Sequence, residues 1–193
     1  MKVHRLLRHL DGIRAICFDA FGTLVEITAR RHPYRLLLKT LPPEARREFR
    51  RRAMREDRPT PEWPKALDAD VPSEVMDEVI DAIRAEAASI CLRAGVKATL
   101  THLRTIGMPI GICSTLASPY GPPLRRALTI RPDFECFSYE VGLVKPEPAI
   151  YGMVADGLGV PGPQILFVGD TRADDVDGPR RKGMRAVQVG AVS

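Results

Sequence analysis

Short apolar runs recur along the chain with helix-patterned stretches between them. Residues 13–18, 109–113, 134–139, 165–168 and 186–189 read as five strands. Residues 96–106 and 147–158 carry helical spacing and stop at Gly107 and Gly159, the residue type that closes a helix most readily. Strands alternating with crossover helices predict an α/β fold built on an open parallel sheet. Ligands in such sheets bind beyond the carboxyl ends of the strands, so Asp19, Ser114 and Asp170, each just past an apolar run, are expected to share one crevice.

About ninety residues separate the first strand from the second, far more than one crossover helix needs. Within them Val75, Val79, Ile83 and Ala87 recur every fourth residue, with Met76 and Ile80 beside them and Pro72 and Ser73 in front, which predicts an amphipathic helix. Further helices are expected over 33–40 and 43–56, and the run Pro59, Pro61, Pro64 reads as an elbow. The chain thus divides into a core of residues 1–24 and 92–193 and a helical cap of residues 25–91, inserted after the first strand.

Composition narrows the class. With 193 residues and 45% hydrophobic content, the chain can bury roughly 70% of its unfolded surface, which excludes a disordered tail protein. The net charge of +5 is unevenly placed: residues 30–58 hold eleven basic side chains against four acidic ones, a net of +7, leaving −2 for the rest. Glu44, Glu48 and Glu56 interleave with those arginines at helical spacing, and aromatic residues are few nearby, so a solvated, ion-paired helix is preferred over a nucleic-acid surface. Cys17, Cys91, Cys113 and Cys136 form no CxxC pair and have no histidine at zinc-ligand spacing, as expected of reduced thiols. Leu6 and Leu7 are followed by Arg8, His9 and Asp11, which breaks any signal-peptide core. No run reaches the ~20 apolar residues of a membrane span. A cytoplasmic protein without membrane contact is the expectation, with its oligomeric state open.

The strand ends carry the chemistry. The first delivers Asp19 followed by Gly22 and Thr23, the second Ser114 and Thr115, and the fourth Gly169, Asp170, Asp174 and Asp175; Lys145 lies in the loop from Gly142 to Pro148. Two aspartates on nearby strands can share a divalent cation through hard oxygen ligands, as Mg²⁺ prefers, while a lysine and a hydroxyl beside them suit an anionic group.

Taken in this order, these segments resemble the four motifs of the haloacid dehalogenase superfamily, and the resemblance covers nearly the whole chain. It implies a Rossmann-like sheet with a cap inserted after the first strand. It further implies Asp19 as a covalent nucleophile, Ser114 and Thr115 as binders of the transferring group, and Lys145 as a holder of both nucleophile and substrate. Mg²⁺ would be ligated by Asp19, the backbone carbonyl of Phe21, Asp170 and Asp175, with Asp174 as the other candidate for the last place.

One position departs from the family's phosphatases. They carry a second aspartate two residues after the nucleophile, which protonates the leaving group; here that residue is Phe21. Loss of a positioned general acid costs ~10²–10⁴ in rate. An aromatic residue there is what the family's 2-haloacid dehalogenases show, but those enzymes lack the Gly-Asp of the fourth motif, and Asp170 facing Asp19 makes most sense with a cation bound. The expected function is therefore a Mg²⁺-dependent, phosphatase-type hydrolase of a small anionic phosphoester, weakened at Phe21 or helped by an acid from the cap such as Glu26 or His32. The alternatives are a non-catalytic binding or regulatory protein, a 2-haloacid dehalogenase, and a Schiff-base phosphonate hydrolase using Lys39 or Lys65.

Overall fold

The computed structural model describes residues 9–190; the segment ahead of His9 that bears on targeting lies outside the described residues. Five parallel strands form the central sheet: β1 (Ala15–Phe18), β4 (Ile110–Ser114), β5 (Phe134–Phe137), β6 (Ile165–Gly169) and β7 (Arg185–Gln188), in the order β5-β4-β1-β6-β7. The chain builds outward from β1 to β4 and β5, then returns to the other side of β1 for β6 and β7. The order reverses at β1, where crevices open in such sheets. Side chains alternate between two apolar layers: Ile16, Phe18, Ile112 and Val168 join one cluster, Cys17, Cys113, Cys136 and Phe167 the other.

Between β1 and β4 lie β2 (Val25–Ile27), α1 (Pro33–Thr40), α2 (Pro43–Arg52), the short α3 (Trp63–Ala66), α4 (Ser73–Ala88), β3 (Ile90–Leu92) and α5 (Val96–Thr105). Leu37, Leu41, Phe49, Trp63, Met76, Val79 and Ile83 pack into a third cluster drawn wholly from α1 to α4. Burying each large side chain there contributes about 1.5–3 kcal/mol, so this region has its own core. Among the described residues no helix is long and apolar enough to cross a membrane.

Three expectations need correction. The region 25–91 is not purely helical: β2 and β3 pair antiparallel, Val25 opposite Leu92 and Ile27 opposite Ile90, forming a two-stranded ribbon where the chain leaves and rejoins the core. Strands of three residues are too short for period-two alternation to register. The helix expected over 43–56 ends at Arg52, and the strand expected over 134–139 ends at Phe137, giving way to α7 (Ser138–Val141); α6 (Gly121–Ala127) precedes β5. Within the basic segment the arginines form the ion pairs that their interleaved glutamates predict, while the net surplus of that segment remains. Arg47 pairs with Glu44 at 2.8 Å, Arg51 with Glu48 at 2.6 Å, Arg52 with Glu56 at 2.5 Å and Arg58 with Glu56 at 3.1 Å.

Candidate active site

The Asp19 amide donates to the Val168 carbonyl at 2.9 Å, carrying the β1–β6 ladder one residue past β1 and placing Asp19 beside the end of β6. Its loop then turns tightly, with the Leu24 and Val25 amides both donating to the Ala20 carbonyl at 2.8 and 2.9 Å. Gly22 sits at φ +87°, and a Cβ there would lie 2.0 Å from Oδ2 of Asp170. Glycine lets two strand-end loops touch. Ser114 is buried at the last position of β4, and Leu116 beyond it donates its amide to Ser138 Oγ at 3.0 Å, fixing the loop that carries Thr115.

Lys145 links these elements. Its amide donates to Thr115 Oγ1 at 3.1 Å, and its Nζ donates to Asp19 Oδ1 at 2.7 Å and Asp175 Oδ1 at 2.6 Å. Its side chain is only 3% exposed, so it is no surface lysine. Burial opposes its charge, but the Asp19 and Asp175 carboxylates outweigh that and hold the ammonium well above the usual lysine range. Burial also pushes the Asp19 carboxyl up, to about 6, with Lys145 pulling it down and Asp175 adding to the rise.

The carboxylates of Asp19, Asp170 and Asp175 bring ligand oxygens within 4.8 Å of one another. Asp175 Oδ2 accepts the Thr171 amide at 2.9 Å, and Asp170 Oδ1 accepts the Thr171 hydroxyl at 3.2 Å. Asp19 Oδ2 is buried without any hydrogen-bond partner. An orphaned buried oxygen beside two further carboxylates is a donor set that fits a hard divalent cation. Asp174 is not in the trio; its carbonyl accepts the Tyr151 hydroxyl at 2.5 Å. The Phe21 bridge to Val25 uses the Ala20 carbonyl and the Gly22 amide, leaving the Phe21 carbonyl out of it. The Phe21 ring meets Tyr120 edge-on at 6.2 Å.

The other acid and amine candidates lie elsewhere. Glu26 is on β2 opposite Cys91, His32 lines a separate pocket with Tyr120, and Lys39 and Lys65 are exposed, without the desolvation a Schiff-base amine needs. Several residues around the site escaped sequence reasoning. Arg55, just past α2, grips Glu147 through two bonds of 2.6 and 3.1 Å and the Gly142 carbonyl at 3.1 Å, so it clamps the loop bearing Lys145. Ser118 donates to Asp57 at 2.8 Å, and Tyr120 donates to Glu86 at 2.5 Å. These partners are 34 to 92 residues apart, and no local pattern announces them.

A family model for haloacid dehalogenase-like hydrolases matches residues 13–181. The chain belongs to that family. Similar proteins include a phosphoglycolate phosphatase of Yersinia pseudotuberculosis, 37% identical over 81 residues that make up 41% of this chain and 35% of that protein. A phosphoglycolate phosphatase of Escherichia coli is 32% identical over 116 residues, 56% of this chain and 46% of its own length. The chain thus aligns with less than half the length of these curated relatives. A haloacid dehalogenase family enzyme from Bacteroides thetaiotaomicron, solved with magnesium and inorganic phosphate, superimposes with a TM-score of 0.65 over 94% of this chain and 96% of that one, at 14% identity. At that identity the likeness speaks for the fold, a mostly parallel sheet flanked by helices.

Proposed function

We propose that this family member is a Mg²⁺-dependent, phosphatase-type hydrolase of a small anionic phosphoester, slowed by the missing acid at Phe21. Residues 1–24 and 92–193 serve as its catalytic core and 25–91 as its cap. The observation that carries this reading is the buried Asp19–Lys145–Asp175 triad with Asp170 beside it and Asp19 Oδ2 unpartnered. The same fourth-motif carboxylates weigh against a metal-free dehalogenase, since without a cation they repel both Asp19 and an anionic substrate.

Asp19, Asp170, Asp175 and the Phe21 carbonyl are the groups that would hold Mg²⁺. When bound, the cation neutralises the carboxylates and supplies Lewis-acid stabilisation to a phosphoryl oxygen. Lys145 fixes Asp19 through Oδ1 and adds positive charge for the phosphoryl oxygens, with Ser114 and Thr115 at the neighbouring strand end to bind them. The Asp19 carboxylate attacks phosphorus, the phosphorus–oxygen bond to the alcohol breaks, and the alkoxide takes its proton from water because Phe21 has none to give. Water then cleaves the aspartyl phosphate, releasing inorganic phosphate and restoring Asp19. Phosphate release from a phosphoester panel with Mg²⁺ tests this: activity present in the natural chain and absent in Asp19→Asn supports it. Equal activity in both, or none from any ester, defeats it.

A further inference from the structure

β4 and β5 run side by side, and the last rung of their ladder sets Ser114 opposite Phe137. The next residue on each side carries a hydroxyl, Thr115 after β4 and Ser138 after β5. Beyond that rung the ladder stops, although Leu116 and Ala117 are still buried. A buried amide or carbonyl left unpaired is costly, so a loop in this place needs a side chain to serve its backbone.

Ser138 serves it in both directions. Its Oγ accepts the Leu116 amide at 3.0 Å and donates to the Leu116 carbonyl at 3.2 Å, and the residue is fully buried. One hydroxyl thus carries the β4–β5 connection a step past its last rung. The chain then runs from Ser138 through the short α7 and Gly142 to Lys145, whose amide donates to Thr115 Oγ1 at 3.1 Å. These bonds close a ring: Ser138 holds Leu116, the adjoining Thr115 holds Lys145, and residues 138–145 join the two ends. Buried, with its hydrogen on the Leu116 carbonyl, Ser138 acts on this loop and not on a substrate.

We propose that Ser138 is a positioning residue for the transfer step: its hydroxyl sets the 114–116 loop and, through Thr115, the place of Lys145 beside Asp19. The proposal rests on the phosphatase reading, in which Ser114 and Thr115 bind the transferring group, and adds a residue outside the four motif segments. Charge gathers on the phosphoryl oxygens in the transition state, so a loop that drifts loses turnover before it loses substrate affinity. A misplacement of about 1 Å is enough to cost about 100-fold.

The test compares Ser138→Thr with Ser138→Val, two side chains of one shape of which only the first keeps the hydroxyl, and adds Ser138→Ala. On the phosphoester that the natural chain hydrolyses fastest, with Mg²⁺, the threonine variant should keep most of the natural kcat. Valine and alanine should lose it by about 10- to 100-fold at a nearly constant KM. Equal kcat for threonine and valine, or a loss carried by KM, overturns the proposal while leaving the phosphatase intact. If these variants do not fold, Ser138→Cys, close to serine in size and a weak donor, replaces them: a lowered kcat supports the proposal and natural turnover overturns it. If the natural chain hydrolyses no ester, the phosphatase reading fails instead, and amide hydrogen exchange judges the loop alone. Faster exchange at both Leu116 and Lys145 in Ser138→Val than in Ser138→Thr upholds the coupling; equal rates, or a change confined to Leu116, overturn it.

Discussion

Two regions of this molecule hold charged pairs at the same distance and differ in everything else. Lys145 and Asp175 meet at 2.6 Å with their side chains 3% and 1% exposed, while Arg51 and Glu48 meet at 2.6 Å with 68% and 38% exposed. The first pair stands at the end of a parallel sheet, shares its ammonium with Asp19 and has little water to fall back on. The second stands on a solvated helix, one turn apart, where water screens it and side-chain freedom opposes it. Distance alone says nothing about consequence. Burial decides which ion pair belongs to chemistry and which only keeps a basic helix soluble.

The largest expected effect comes from breaking the buried side. Lys145→Met leaves Asp19 and Asp175 facing each other without a cation, which should cost about 3–5 kcal/mol of stability in metal-free chemical denaturation and abolish phosphate release. Phe21→Asp restores a titratable group at the position where the phosphatase pattern has one, and should raise turnover by ~10²–10⁴ if the missing proton is the main defect. Next comes Glu86, whose carboxyl burial pushes up but which the Tyr120 hydroxyl and the Arg31 and His32 amides hold, on balance, below the usual range. A depressed folded-state value gives stability that is complete above the ordinary carboxylate pKa of about 4.3 and is lost as pH falls through the lower folded value. Glu86→Gln should therefore flatten the acid side of a stability-against-pH curve, and an unchanged curve would remove Glu86 from its pinning role. Smallest of all, Arg51→Gln should leave the denaturation midpoint almost unchanged, with an even smaller shift at high salt.

Much of the core could be read in advance, for a physical reason. Parallel strands buried on both faces leave continuous apolar runs, and the residue after each run lies at the crevice, so Asp19, Ser114 and Asp170 could be placed together although they are far apart along the chain. Helical pairs such as Glu44 with Arg47 were equally visible, being one turn apart. The β2–β3 ribbon was not, because three-residue strands leave no period to detect. Nor was the reach of Arg55 to Glu147 or of Glu86 to Tyr120, since each joins separate elements through contacts that only the packed fold creates. Glu86 is buried on a helix whose apolar stripe gave no hint of an inward carboxylate.

The most direct test of the whole account is inorganic phosphate release from a phosphoester panel, run with Mg²⁺ and with EDTA on the natural chain and on Phe21→Asp. The account predicts slow release by the natural chain that depends on Mg²⁺, vanishes in EDTA and rises strongly in the variant. No phosphate from either protein, together with chloride release from 2-chloropropionate in EDTA, would contradict it.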